Sequence, residues 1–209
     1  MEKRKLGRDG PNVSLICLGT MTFGEQNTET EGHAQMDCAV DAGVNFLDTA
    51  ELYAIPPKPE TQGSTEQIIG SWFKARKNRD KIILATKVMG RSGMTWFRDD
   101  RSPTRLNKTQ MSEALEKSLK RLGTDYVDLY QIHRFDPNTP IAETMEALHD
   151  IVKAGKARYI GASSMFAWQF AQMQHTADMH GWTRFVSMQN HYNLVYREEE
   201  REMIPYCIN

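Results

Sequence analysis

The sequence predicts an α/β fold built as a (β/α)8 barrel. Three observations carry that prediction. Helix-like segments end at glycine and lead at once into strand-like runs, this unit repeats along the chain, and the strand-like runs stop on polar, chemically capable side chains. Alternation of this kind implies parallel strands joined by right-handed crossovers. A doubly wound open sheet is the other layout with that pattern. No G-x-G-x-x-G follows any strand candidate, which disfavours it.

The elements follow in order. "RKLG" and "VSLICLG" flank the turn "RDGPN", which predicts a short N-terminal hairpin. Strand candidates lie near 16–20, 45–48, 82–87, 126–132, 157–163 and 185–190, each followed by a helix candidate, the last being "YREEEREMIPYC". Gly43, Gly123, Gly155 and Gly181 stand where a helix C-terminus wants a residue free to take positive φ. Two helices are plainly amphipathic. Met111, Leu115, Leu119 and Leu122 share one face, as do Ile141, Met145, Leu148 and Val152. Ser64 with Gln67 and Asn107 with Gln110 predict capping boxes, and Thr139 before Pro140 fits an N-cap and first helical residue.

No Gly-, Ser- or Pro-rich linker divides the chain, so residues 1–209 are read as one barrel domain. The long segments "AIPPKPETQG" (54–63) and "VMGRSGMTWFRDDRSPTR" (88–105) both follow strands, where a barrel builds its working face. Six strand–helix units are counted, whereas a closed barrel needs eight and ~250 residues is typical. The domain is therefore expected to be incomplete at its C-terminus, part of a longer polypeptide that supplies two more units.

Bulk composition excludes several classes. With 26 Lys and Arg against 27 Asp and Glu, the formal charge of -1 provides no field to recruit nucleic acid or an acidic membrane. Cys17, Cys38 and Cys207 are odd in number and far apart, which reads as reduced thiols and not as a disulfide frame or zinc site. No stretch approaches ~18 apolar residues and the N-terminus lacks a signal-peptide core. A soluble, cytoplasmic protein is expected.

The strand ends carry the chemistry. The second stops at Asp48 and the third at Lys87, and the fourth leads into His133. The fifth gives Ser163 and Ser164, and the sixth Gln189 and Asn190. In a parallel barrel these ends share one rim, and Tyr53, in the loop that begins at Asp48, can fold back over it. Asp, Tyr, Lys and His together suggest proton donation to a carbonyl oxygen. A phenol is a poor acid at neutral pH until an ammonium beside it favours phenolate. A carboxylate can hold that ammonium in place, and an imidazole can orient the substrate. None of the four supplies electrons, so a hydride donor must bind beside them. A rival reading makes Lys87 a Schiff-base nucleophile, but it leaves Asp48 and Tyr53 without a task.

Other polar residues read as structural. His175 and His180 are five apart, wrong for a same-face metal pair, and no metal site is expected. His33 and His149 read as helix-surface residues, Asp128 as bonded to nearby backbone, and Trp168 with the helical methionines as core.

"DTAELY", "ATKV", "YQIH", "IGASS" and "SMQNHYNL", in this order, resemble the aldo-keto reductase superfamily from about residue 3 onward. The stretch "DTAELYAIPPKPETQGSTEQIIGSWF" is similar to the bacterial Tas-like branch. The resemblance implies an NADP(H)-dependent oxidoreductase that reduces aldehydes and ketones to alcohols on a (β/α)8 barrel. It implies Tyr53 as acid, Lys87 as its activator, Asp48 as the lysine's partner and His133 as the orienting group. Ser163, Ser164 and Gln189 would hold the nicotinamide carboxamide, with Asp48 nearby and Gly19, Thr20 and Met21 beneath the cofactor. Family members often carry Asn after that serine, where this chain has Ser164. Relatives of the fold include potassium-channel β subunits, so a cofactor-binding regulatory or scaffold protein is the alternative. A small-molecule carbonyl compound is the expected partner.

Overall fold

A computed structural model describes residues 1–209. The N-terminal hairpin forms as read, with β1 (Lys3–Lys5) antiparallel to β2 (Asn12–Ser14). Six parallel strands follow in one sheet whose spatial order equals their chain order: β3 (Leu18–Gly19), β4 (Phe46–Asp48), β5 (Ile83–Val88), β6 (Val127–Ile132), β7 (Ala157–Ser163) and β8 (Phe185–Gln189). The helices are α1 (Glu29–Asp41), α2 (Ser64–Arg76), α3 (Lys108–Leu122), α4 (Ile141–Lys153), α5 (Ala167–His180) and α6 (Met203–Ile208).

The main core lies between the outer sheet face and the helices. Leu47, Leu84, Tyr130, Ile132 and Ile160 meet Met111, Leu115, Met145 and Leu148, all nearly inaccessible to solvent. Burial of each large apolar side chain contributes roughly 1.5–3 kcal/mol.

The inner face curls around a cavity of about 310 Å³, and its lining alternates by strand. Phe46, Leu129 and Ser187 from β4, β6 and β8 form one tier, and Asp48, Gln131 and Gln189 from the same strands form the tier above. Tiers drawn from every second strand are the packing rule of a (β/α) barrel interior. The six strands thus follow a barrel's curvature, with β3 and β8 as the outermost strands.

Local signals for helix ends were accurate at glycine and uneven elsewhere. Gly43, Gly123, Gly155 and Gly181 all have positive φ. Asn107 accepts from the Gln110 amide at 2.9 Å, but the Gln110 side chain turns to Arg98, Ser102 and Arg105 instead of closing a box. Ser64 is the first residue of α2, not its cap, and its hydroxyl donates to the Phe23 carbonyl at 3.4 Å. The cap of α4 is Pro140, because the Thr139 hydroxyl is drawn to Asp136 at 2.6 Å. A capping box does form on α1, where the Thr28 hydroxyl takes the Glu31 amide and the Glu31 carboxylate takes the Thr28 amide. The last helix candidate splits into a 3-10 turn over Glu198–Glu200 and the short α6.

Two structural readings change and a third is extended. Trp168 is half exposed, stacked edge-on to Phe135 at 6.3 Å, and is not core. His33 links α1 to α2 through the Ile68 carbonyl and Ser71, and His149 links α4 to Thr183, so neither merely decorates a helix surface. Asp128 takes the Leu84 amide at 3.0 Å, as its burial required, and additionally pairs with Arg79 and Arg158 at 2.9 Å each. No helix is long and apolar enough to cross a membrane.

Candidate active site

Asp48 ends β4, Lys87 stands next to last in β5, and His133 directly follows β6. Tyr53 returns over them from the loop after β4, so the four side chains predicted from the strand ends do meet. The Lys87 ammonium donates to Asp48 Oδ2 at 2.6 Å and to the Thr49 carbonyl at 2.9 Å. Its third contact is the Tyr53 hydroxyl at 3.5 Å, the outer limit of a hydrogen bond. Lys87 is 1% exposed, which is tolerable for an ammonium because carboxylate and carbonyl replace its water.

His133 packs edge-on to the Tyr53 ring, 5.7 Å between centroids and 86° between planes. Its Nδ1 is buried without a partner. Burial foremost, then the Lys87 and Arg134 charges, push its imidazole down to about 3. It is therefore neutral at physiological pH and can donate one N–H without competing as an acid. A stability consequence follows. Unfolded, this histidine takes up a proton below ~6.5, whereas folded it stays neutral down to about 3. The unfolded state binds more protons throughout that window, so stability falls as pH drops through it, on the order of 1 kcal/mol per unit. Above the window His133 contributes no pH dependence. Urea midpoints at pH 5 and pH 7 should differ less in His133→Phe than in the parent, and equal differences would refute the buried neutral state.

The Asp48 carboxylate is held from three sides. Besides Lys87 it accepts from Gln131 Nε2 at 3.2 Å on Oδ1 and from Gln189 Nε2 at 3.3 Å on Oδ2. Gln131 was not anticipated. The available signal was the strand period of two, because Gln131 shares the inward face of β6 with Leu129.

The residues expected near a nicotinamide gather at adjacent strand ends. Ser163 of β7 and Gln189 of β8 are register partners, and the Ser164 amide donates to the Gln189 carbonyl at 3.1 Å. The Ser163 and Ser164 hydroxyls are 3.2 Å apart. Ser164 has φ of 50°, a left-handed conformation that asparagine tolerates better than serine. Thr20 is buried and donates through both its amide and its hydroxyl to the Asp48 carbonyl. Gly19 and Met21 are exposed at the rim, and a Cβ on Gly19 would enter open space. A carboxamide needs a donor and an acceptor facing it. Two hydroxyls and a primary amide supply both, so this donor set fits the group.

Glu51, between Asp48 and Tyr53, answers a separate structural need. Its carboxylate receives both terminal nitrogens of Arg98, at 3.0 and 3.1 Å, and the Met89 amide at 2.6 Å. Both side chains are essentially inaccessible. The pair ties the Tyr53 loop to the loop that follows Lys87.

Comparison with known proteins gives the family. The model of the aldo/keto reductase family matches residues 15–209. The chain belongs to the aldo/keto reductase family. An aldo-keto reductase of Fusarium vanettenii is 44% identical over 99% of this chain and 60% of its own length. Protein Tas of Escherichia coli is 41% identical over 96% of this chain and 62% of its own, in keeping with the Tas-like resemblance. Versiconal hemiacetal acetate reductase of Aspergillus parasiticus is 40% identical over 100% and 64%. The chain thus spans about three fifths of the length of these relatives. The aldo/keto reductase family is one of nicotinamide-dependent oxidoreductases that act on carbonyl compounds, and its members are (β/α)8 barrels.

Proposed function

We propose that this aldo/keto reductase reduces small aldehydes or ketones to alcohols with NADP(H), using Tyr53 as the proton donor. The observation that carries the reading is the Lys87 ammonium placed between the Asp48 carboxylate and the Tyr53 hydroxyl. The relatives named as reductases support the reaction class. NADP(H) is preferred to NAD(H) on the family resemblance, and the three exposed free thiols favour a reducing, cytoplasmic setting.

When bound, a nicotinamide would supply the hydride; Ser163, Ser164 and Gln189 would hold its carboxamide, and Gly19, Thr20 and Met21 would lie beside it. Tyr53 passes its proton to the developing alkoxide, and the ammonium beside it stabilises the phenolate left behind. Asp48 keeps Lys87 aimed. Neutral His133 donates to the same oxygen and orients the carbonyl. The Schiff-base alternative is disfavoured because it leaves Asp48 and Tyr53, both in contact with the Lys87 nitrogen, without a task.

The decisive experiment is a fluorescence titration with NADPH and with NADH, followed by turnover of an aromatic aldehyde. Binding with turnover is the expected result, whereas binding without turnover would favour a regulatory or scaffold role. Lys87→Met should lower kcat/KM, because the phenolate left after proton transfer loses its neighbouring cation. A parent-like kcat/KM would mean that Lys87 does not act on Tyr53.

A further inference from the structure

Gln131 is buried at 2% exposure, in the middle of the inner tier. Both protons of its amide nitrogen are committed, one to Asp48 Oδ1 at 3.2 Å and the other to Gln189 Oε1 at 3.3 Å. The Gln189 amide donates in turn to Asp48 Oδ2 at 3.3 Å, which closes a ring of three side chains. The direction of these bonds is chemically forced. With the Gln131 amide reversed, its carbonyl oxygen would face a carboxylate and the Gln189 carbonyl, acceptor against acceptor. Room for Gln131 comes from β7, where a Cβ on Gly161 would meet the Gln131 Oε1 at 3.2 Å and the Ser187 hydroxyl at 2.6 Å. Gln131 is therefore the one group in direct contact with both the partner of Lys87 and the amide expected to face the nicotinamide.

We propose that Gln131 is a positioning residue that locks the Asp48 carboxylate and the Gln189 amide in one mutual geometry, coupling the proton-donating group to the cofactor-binding group. The proposal rests on the functional reading above. Without the bridge, Gln189 keeps only its own donation to Asp48 Oδ2, its carbonyl oxygen loses the donor that fixes the amide plane, and the carboxylate loses its donor on Oδ1. Lys87 is then less well aimed at Tyr53, and Gln189 is less well prepared for a carboxamide. A single side chain thus touches both steps, although it contacts neither substrate nor cofactor.

The test compares the parent, Gln131→Met, Gln131→Glu and Tyr53→Phe, with folding followed by thermal unfolding. The readouts are NADPH affinity by equilibrium fluorescence and the pH dependence of kcat. Gln131→Met keeps the volume and removes the donor. It should lose kcat by about tenfold, the scale of one charge-assisted contact, and should also bind NADPH several-fold more weakly. Gln131→Glu puts a second carboxylate against Asp48. Its deficit relative to the parent should grow with pH and shrink under acidic conditions, where the two acids share a proton. A merely structural defect would lower the profile without changing its shape. Parent-like affinity in Gln131→Met together with a parallel profile in Gln131→Glu would overturn the coupling. Should Gln131→Met fail to fold, the shape of the Gln131→Glu profile decides alone. Failure of the parent to bind NADPH, or full activity in Tyr53→Phe, would instead refute the functional reading itself.

Discussion

Tyr53→Phe is expected to lower kcat for carbonyl reduction by about 10²–10⁴-fold, the range for loss of a positioned general acid. NADP(H) affinity should stay within a few-fold of the parent. The selectivity of that loss comes from the site. Phenylalanine keeps the ring that packs edge-on to His133 and removes only the hydroxyl facing Lys87. Tyr53 is 9% exposed, so no bulk acid can readily take the place of the phenol. Single-turnover measurement with saturating cofactor separates proton donation from binding. A variant that retains half the parental kcat would remove Tyr53 from the mechanism.

Arg98→Met is expected to be the most destabilising single change, about 3–5 kcal/mol, because it leaves the Glu51 carboxylate buried and unpaired. Domain stabilities are only about 5–15 kcal/mol, so a drop in melting temperature of roughly 6–20 °C should follow. Removing the partner as well should recover part of the loss, since an ion pair replaced by apolar groups is often nearly neutral. Recovery should be incomplete in Glu51→Met with Arg98→Met, because Glu51 also satisfies the Met89 amide. A calorimetric scan of Arg98→Met, Glu51→Met and the double variant checks the cycle. A melting temperature for Arg98→Met within about 2 °C of the parent would show that water reaches the pair. Activity should fall with stability here, since the same pair anchors the loop that carries Tyr53.

Local rules were reliable where the physical cause is local. Positive φ after a helix depends on one residue lacking a Cβ, and Gly43, Gly123, Gly155 and Gly181 all adopt it. The amphipathic faces of α3 and α4 are set by periodicity alone, and the buried side of each is the one its apolar spacing indicates. Parallel topology then follows from alternation, which is why the strand ends could be assigned to one rim. Side chains with a choice of partners were less legible. The hydroxyls of Ser64 and Thr139 could have capped helices, but Phe23 and Asp136 come within reach only after folding.

The sequence by itself determined the strand–helix alternation, the reactive group at each strand end and, through motif resemblance, the family. Tertiary structure alone decided which of those groups touch. Glu51 meets Arg98 across 47 positions, and Asp48 meets Gln131 across 83. Such pairs depend on the curl of the sheet and on strand register, which set side-chain separations to within an ångström. No pattern of residue types carries that information, because a glutamine facing inward on β6 looks the same in the sequence whether or not a carboxylate lies 3.2 Å away.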